Sequence, residues 1–241
     1  MSNNPHKFAV FDIDGTIFRS GLYREVVYEL LALELAPAEL RDAFAHHEAK
    51  WKERQSPEAF SEYEEAMAVA FGKALPQIKC ADFDEAVQSV FTRTGSHVYA
   101  YTRDLVAQLK QEGYTLIAIS GSQEELVKLF AEKYGFDIWV GQHYDRTEDG
   151  SRFTGKLTFT HNGKDKLLRK IVEEHRLDFA GSVGVGDSRG DIGMLSIVEK
   201  PIAFNPERAL FEHAKEAGWS IVVERKNMVY KLQRSDVFVL T

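Results

Sequence analysis

Cysteine is nearly absent: Cys80 is the only one in 241 residues. That excludes a disulfide within the chain and argues against a cysteine-based zinc site. An excess of positive charge is lacking too. Lys and Arg number 30 against 37 Asp and Glu, a formal charge of −7. Nucleic acid and anionic membrane both attract basic surfaces, so neither is expected as the main partner. A local basic pocket for a small anion stays open. No apolar run approaches membrane-spanning length. The opening MSNNPHK is polar and carries no apolar signal core, so a soluble cytoplasmic protein is expected. Internal repeats and low-complexity stretches are missing as well. The length suffices for one large core, or for a core with an inserted lobe.

What is there begins with short apolar runs ending in turn residues: Phe8–Ile13, Tyr114–Ile119, Asp137–Val140, Ser182–Val185 and Pro201–Phe204. They alternate with helical patterns, which predicts a mostly parallel sheet built of strand–helix units. Ser122 lies three residues before Glu125, a capping-box spacing, and Gly135 fits just past that helix. Thr102 is placed to cap a helix carrying Leu105 and Leu109 that stops near Gly113. Residues 18–93 differ, with no convincing strand. Ser56 and Pro57 read as the start of a helix whose Phe60, Tyr63, Met67 and Phe71 share a face. That stripe reads as lobe core. Asp82 and Glu85 form another capping-box pair. The expected organisation is a core of residues 1–17 and 94–241 with a helical lobe, 18–93, inserted after the first strand. Ligands bind at the carboxyl ends of parallel strands, so this lobe would overhang the site like a lid.

The first run, FAVFDIDGTIF, ends in two aspartates one residue apart. Asp and Glu are almost never fully buried without a partner. Strand side chains alternate, so Asp12 and Asp14 point the same way, and Gly15 lets the chain turn sharply. Ser120 and Gly121 close a second run. Asp187 and Asp191 lie four apart, one helical turn, in GVGDSRGD. Between the Ser120 and Asp187 runs, Lys164 and Lys166 open a helix in HNGKDKLLRKI. Four carboxylates, a hydroxyl and a lysine would then meet at one sheet edge. Crowded carboxylates need a hard cation, and all-oxygen ligation suits magnesium. Magnesium beside Lys and Ser makes a phosphate site, where one carboxylate attacks phosphorus and another shuttles the proton.

FDIDGT, AIS, Lys164 and GDSRGD, in this order, resemble the four motifs of the haloacid dehalogenase superfamily of phosphohydrolases. The helical insertion after the first motif, the DGSRFTGKLT segment reading as a hairpin, and KPIAFNPERAL are similar to its phosphoserine phosphatase-like branch. The resemblance runs from about Phe8 to Val222. It implies a Rossmann-like α/β core, a helical cap of the C1 type and a Mg2+-dependent phosphomonoesterase acting on a small phosphate ester, as a monomer or homodimer. Carried onto this chain, Asp12 would be nucleophile and metal ligand. Asp14 would be the general acid/base and lend its backbone carbonyl to the metal. Asp187 would bind the metal, and Asp191 would hold a metal-bound water or orient Lys164. Ser120, Gly121 and Lys164 would hold phosphate, with Thr16 supporting the loop at the phosphate site. Lys164 fits the family's spacing better than Lys166.

Three alternatives share part of this chemistry. A phosphotransferase or mutase would use the same aspartyl phosphate. A receiver-like regulatory module is disfavoured by Asp14 and by the lobe, and metal-free dehalogenase chemistry has no use for Asp14 as a proton donor. The resemblance also points to a departure. Phosphoserine phosphatases carry a glutamate shortly after the first motif and an arginine in a later cap helix. Here Gly21 stands near the first position, Arg19, Tyr23 and Arg24 lie beside it, and SEYEEAMAVAFGKAL has no arginine. Poor phosphoserine hydrolysis is expected, and a substrate with a neutral or anionic far end that Arg19, Tyr23 or Arg24 could contact, unless these face solvent. His46 and His47 read as surface residues, and Arg189, in the motif-four loop, reads as either a substrate contact or a solvent-facing residue. The apolar tail VFVLT reads as either an edge strand or a subunit contact.

Overall fold

The computed structural model describes residues 6–158, 163–233 and 239–240. They divide into two compact units, 1–22 with 94–142 and 159–241, and 23–93 with 143–158.

The first unit is built on parallel strands. These are β1 (His6–Phe11), β2 (Thr115–Gln123), β3 (Ile138–Arg146, its last residues in the second unit), β5 (Leu177–Gly186), β6 (Lys200–Phe204) and β7 (Ser220–Arg225). β8 (Met228–Gln233) and β9 (Val239–Leu240) follow antiparallel, in the order β3-β2-β1-β5-β6-β7-β8-β9. β1 lies between β2 and β5, and Phe8 to Phe11 are each 0% exposed. Both faces of a parallel sheet are covered, which is why β1 reads as a continuous apolar run. Phe8, Val10, Ile117 and Ile119 pack with Leu168, Met194, Leu195 and Leu210 from the flanking helices. Each such side chain contributes about 1.5–3 kcal/mol by leaving water.

Those helices are α5 (Ala100–Gln111), α6 (Glu124–Tyr134), α7 (Lys164–Glu174), α8 (Ile192–Leu195) and α9 (Arg208–Ala217). Gly135 closes α6 in the left-handed conformation expected of it. Two expected caps are not there. Ser122 lies inside β2, and Gln123 precedes α6 without a side-chain cap bond. Thr102 sits within α5, and its hydroxyl is turned to Thr16 instead. Val239–Leu240 is the edge strand of the two readings of the tail. Residues 237–238 and 241 of that tail lie outside the described residues, as does the start of HNGKDKLLRKI.

The second unit holds α1 (Leu22–Ala32) beyond its first residue, α2 (Glu39–Lys52), α3 (Ala59–Ala74), α4 (Cys80–Thr94), the end of β3 and β4 (Phe153–Thr158). It is therefore not all-helical: its main stretch begins at Tyr23 rather than 18, ends at Arg93 as expected, and takes in 143–158 besides. Segment 143–158 joins it for a physical reason. Tyr144 and Phe153 pack with Phe83 at 6.2 and 5.1 Å between ring centres. Tyr144 also meets Phe71 at 6.0 Å, and Arg146 forks onto Asp84 at 2.8 and 2.6 Å. Tyr63, Met67 and Phe71 are buried as expected, while Phe60 is 36% exposed. The helix starts are displaced. Glu58 rather than Ser56 precedes α3, and α4 begins ahead of Asp82.

Candidate active site

The carboxyl ends of β1, β2 and β5 carry the site. Asp12 extends β1, its N–H donating to Val185 O at 2.9 Å, and its side chain is buried. The chain then turns on Ile13, whose carbonyl accepts the N–H groups of Thr16, Ile17 and Phe18. Gly15 takes φ +74°, and a Cβ there would stand 2.0 Å from Asp187 Oδ2, so no other residue fits without moving that carboxylate. Thr16 is wholly buried. Its hydroxyl donates to Asp187 Oδ1 at 3.3 Å, and its carbonyl accepts from Thr102 Oγ1 at 2.8 Å. Thr16 therefore ties the loop after β1 to Asp187 and to Thr102.

Asp14 is held by two donors. Its Oδ2 accepts from Ser120 Oγ at 2.6 Å, and its Oδ1 accepts from Leu22 N at 2.5 Å. Ser120 Oγ also accepts from Ser122 N at 2.9 Å, inside the β2 segment that contains Gly121. Lys164, the first residue of α7, is 4% exposed. Its ammonium donates to Asp12 Oδ1 at 2.6 Å and to Asp191 Oδ1 at 2.7 Å, while Lys166 is exposed. The other oxygen of Asp191 accepts from Asp187 N, Ser188 N and Ser188 Oγ at 3.0–3.1 Å, as part of a capping box on the turn Arg189–Asp191.

One oxygen each from Asp12, Asp187 and Asp191 lies within 4.8 Å of the others. The metal set expected from the sequence was Asp12, Asp14 and Asp187. Asp14 was expected there through its backbone carbonyl, so the side-chain cluster holds the expected Asp12 and Asp187 and adds Asp191. Asp12 Oδ2 is buried and has no hydrogen-bond partner. Burial, opposed by Lys164 and aided by the Asp191 and Asp14 charges, pushes the Asp12 carboxyl up to about 8. Burial and the Asp12 and Asp191 charges push Asp187 well up too. Burial opposes the Lys164 charge, yet Asp12 and Asp191 hold its pKa above that of an ordinary lysine. One lysine among three clustered carboxylates leaves negative charge uncompensated, and the orphaned Asp12 oxygen has room in its bonding for one more partner. Both fit a divalent cation.

The candidates for reading the substrate divide between the units. Arg19 is exposed in the first unit, its guanidinium 5.7 Å from the Tyr99 ring centre. Tyr23 and Arg24 belong to the second. Tyr23 packs on Phe71 at 5.6 Å, and burial, then Tyr144, pushes its phenol up. Arg24 lies over Phe60 and Trp51 at 5.0 and 5.5 Å, with Glu64 3.9 Å away, so its side chain is engaged inside its own unit. Arg189 is exposed. Sequence reasoning missed Thr102, Leu22 N and Glu207, whose N–H donates to Asp187 O while its carboxylate accepts from Arg189 N. A backbone donor and two long-range clamps leave no local pattern.

Comparison with known proteins bears on this arrangement. Residues 9–196 match the haloacid dehalogenase-like hydrolase family. The chain is 22% identical to a histidinol-phosphatase of Neisseria meningitidis over 89% of its own length and 97% of the relative's. It is 24% identical to a phosphoserine phosphatase of Methanocaldococcus jannaschii over 92% and 94%. A solved structure, a phospho-aspartyl intermediate analogue of phosphoserine phosphatase, superposes with TM-score 0.62 at 20% identity, over 92% of this chain and 95% of that one. The chain belongs to the haloacid dehalogenase-like hydrolases. Among the described residues no helix is long and apolar enough to cross a membrane.

Proposed function

We propose that this phosphatase is a Mg2+-dependent phosphomonoesterase of small phosphate esters, working through a phosphorylated Asp12. The observation that carries the reading is Asp12 itself, a buried carboxylate with one oxygen held by Lys164 and the other without a partner. Asp12 and Asp187 would hold the ion, with the Asp14 carbonyl. The ion would neutralise charge on the phosphoryl group. The Asp12 carboxylate attacks phosphorus and the ester P–O bond breaks. Asp14 gives its proton to the leaving alkoxide, then takes one from the water that hydrolyses the acyl phosphate. Lys164 shields Asp12 from the incoming phosphate charge, and Asp191 keeps the lysine in place. The Ser120 hydroxyl turns from Asp14 to a phosphate oxygen, beside the Gly121 backbone.

The names of the relatives support a phosphate ester and differ in the alcohol. At 22% and 24% identity neither alcohol carries over. The test is a screen of phosphorylated metabolites with and without magnesium. Hydrolysis of at least one with magnesium, and of none without it, is the expected result.

A further inference from the structure

Resting on the phosphatase reading, the geometry points to Arg19 as a specificity-determining contact, one that receives a carboxylate on the far end of the phosphate ester.

Arg19 is placed by the turn that follows the paired aspartates. The carbonyls of its two neighbours, Phe18 and Ser20, both accept from Gly15 N, at 3.0 and 3.2 Å. Gly15 in turn is pressed against Asp187. The backbone around Arg19 is therefore tied to the same Gly15 that packs on Asp187. A second set of bonds fixes its direction. Phe18 bridges Val98 antiparallel, Arg19 N donates to His97 O, and Tyr99 N donates to Ile17 O, each of these two at 2.9 Å. Arg19 and Tyr99 are diagonal neighbours across this short ribbon, close enough for long side chains to touch. The guanidinium lies over the Tyr99 ring, and the ring stands edge-on to Phe204 at 5.0 Å. Burial, then the Asp187 charge, pushes the Tyr99 phenol up, so the ring that carries Arg19 feels the candidate metal ligand.

Arg19 is thus a cation ordered at the rim of an acidic site, and among the described residues no carboxylate pairs with it. A guanidinium held by a cation–π contact spends none of its N–H donors there, and its planar fork suits a carboxylate in two parallel hydrogen bonds. Lys164 is buried on Asp12 and Asp191 and has no such freedom. Arg189 is the other exposed cation in the site loops, but its side chain has no ring beneath it.

The experiment measures kcat/KM for 3-phosphoglycerate and for glycerol 3-phosphate, which differ in the carboxylate, with p-nitrophenyl phosphate as the reference for hydrolysis itself. Wild type, Arg19→Ala, Arg19→Lys and Arg189→Ala are compared, each checked by its melting temperature. The wild-type ratio of the first substrate over the second should be tenfold or more. Arg19→Ala should lower that ratio at least fivefold, chiefly through KM, and Arg19→Lys should restore part of it. A smaller wild-type preference, a smaller fall, or a fall caused by Arg189→Ala in its place would overturn the inference while leaving the phosphatase reading intact. No magnesium-dependent hydrolysis of p-nitrophenyl phosphate by wild type would overturn the phosphatase reading, and this inference with it.

Discussion

Lys164 Nζ lies 2.6 Å from Asp12 Oδ1 and 2.7 Å from Asp191 Oδ1, all three side chains buried. The lysine is the cation that lets two aspartates share a dry corner. Removing one partner of a buried ion pair costs about 3–5 kcal/mol, since a charge is left without compensation. Lys164→Met should therefore lower stability by about 3 kcal/mol in metal-free urea unfolding. Magnesium should recover part of the loss. A variant as stable as wild type without metal would show that the pairing contributes little.

The metal prediction has a readout apart from turnover. A ligand that binds only the folded state stabilises it by about 2.7 kcal/mol at a concentration 100 times Kd. Magnesium should raise the melting temperature of wild type and leave that of Asp187→Asn nearly unmoved. Activity should vanish with a chelator and return with magnesium. Calcium should inhibit, because its higher coordination number invites both Asp12 oxygens to bind. Full activity in excess chelator would contradict the metal assignment.

Asp14 is held by Ser120 Oγ and Leu22 N, and its charge is felt by Asp12 and Asp187. Its proposed work is proton transfer. An alkoxide needs a proton to leave, whereas p-nitrophenolate leaves without one. Asp14→Asn should then slow an alkyl phosphate at least tenfold more than p-nitrophenyl phosphate. Equal losses would remove the acid role.

Glu48 supplies a pH test in the helical unit. It is a buried carboxylate that accepts from Tyr28 OH at 2.8 Å and pairs with Lys52 at 2.7 Å and Arg41 at 3.0 Å. Burial alone would raise its pKa, but the bonds from Lys52 and Tyr28 and the Arg41 charge bring it below the ordinary value. A lowered folded pKa means stability that is present above the unfolded pKa and lost as pH falls through the folded one. Glu48→Gln should cost about 1–2 kcal/mol near neutral pH. The gap to wild type should narrow on acidification below about pH 4.5, the ordinary glutamate range. A constant gap would mean that shape, not charge, is what Glu48 contributes.

The sequence carried the strands that bear the site because each is a continuous apolar run ended by an aspartate or a serine–glycine pair. Those ends brought Asp12, Asp14, Asp187, Asp191 and Ser120 to one edge, whereas the choice of Lys164 over Lys166 rested on the family resemblance. Local signals failed where a side chain answers to something far away. Ser122 has capping-box spacing to Glu125, yet β2 runs on through it to Gln123. Thr102 looks like a cap, but its hydroxyl serves Thr16, which is 86 residues distant. DGSRFTGKLT, residues 149–158, reads as a hairpin; that segment 143–158 packs with the helices depends on Tyr144 and Phe153 meeting Phe83, a contact no periodicity encodes. The partners of Asp14, a backbone N–H and a serine hydroxyl, required the folded chain.

Asp12 as nucleophile is the centre of the account, and trapping the phosphorylated residue tests it most directly. The enzyme would be quenched during turnover of p-nitrophenyl phosphate with magnesium, reduced with borohydride and mapped by mass spectrometry. An acyl phosphate on Asp12 would be reduced to homoserine at that position in the peptide containing FAVFDIDGTIF. Asp12→Asn should show no such product and should lose several orders of magnitude in rate, since the covalent route is gone. Rapid hydrolysis by wild type with Asp12 unreduced, or by Asp12→Asn at a tenth of the wild-type rate, would contradict it.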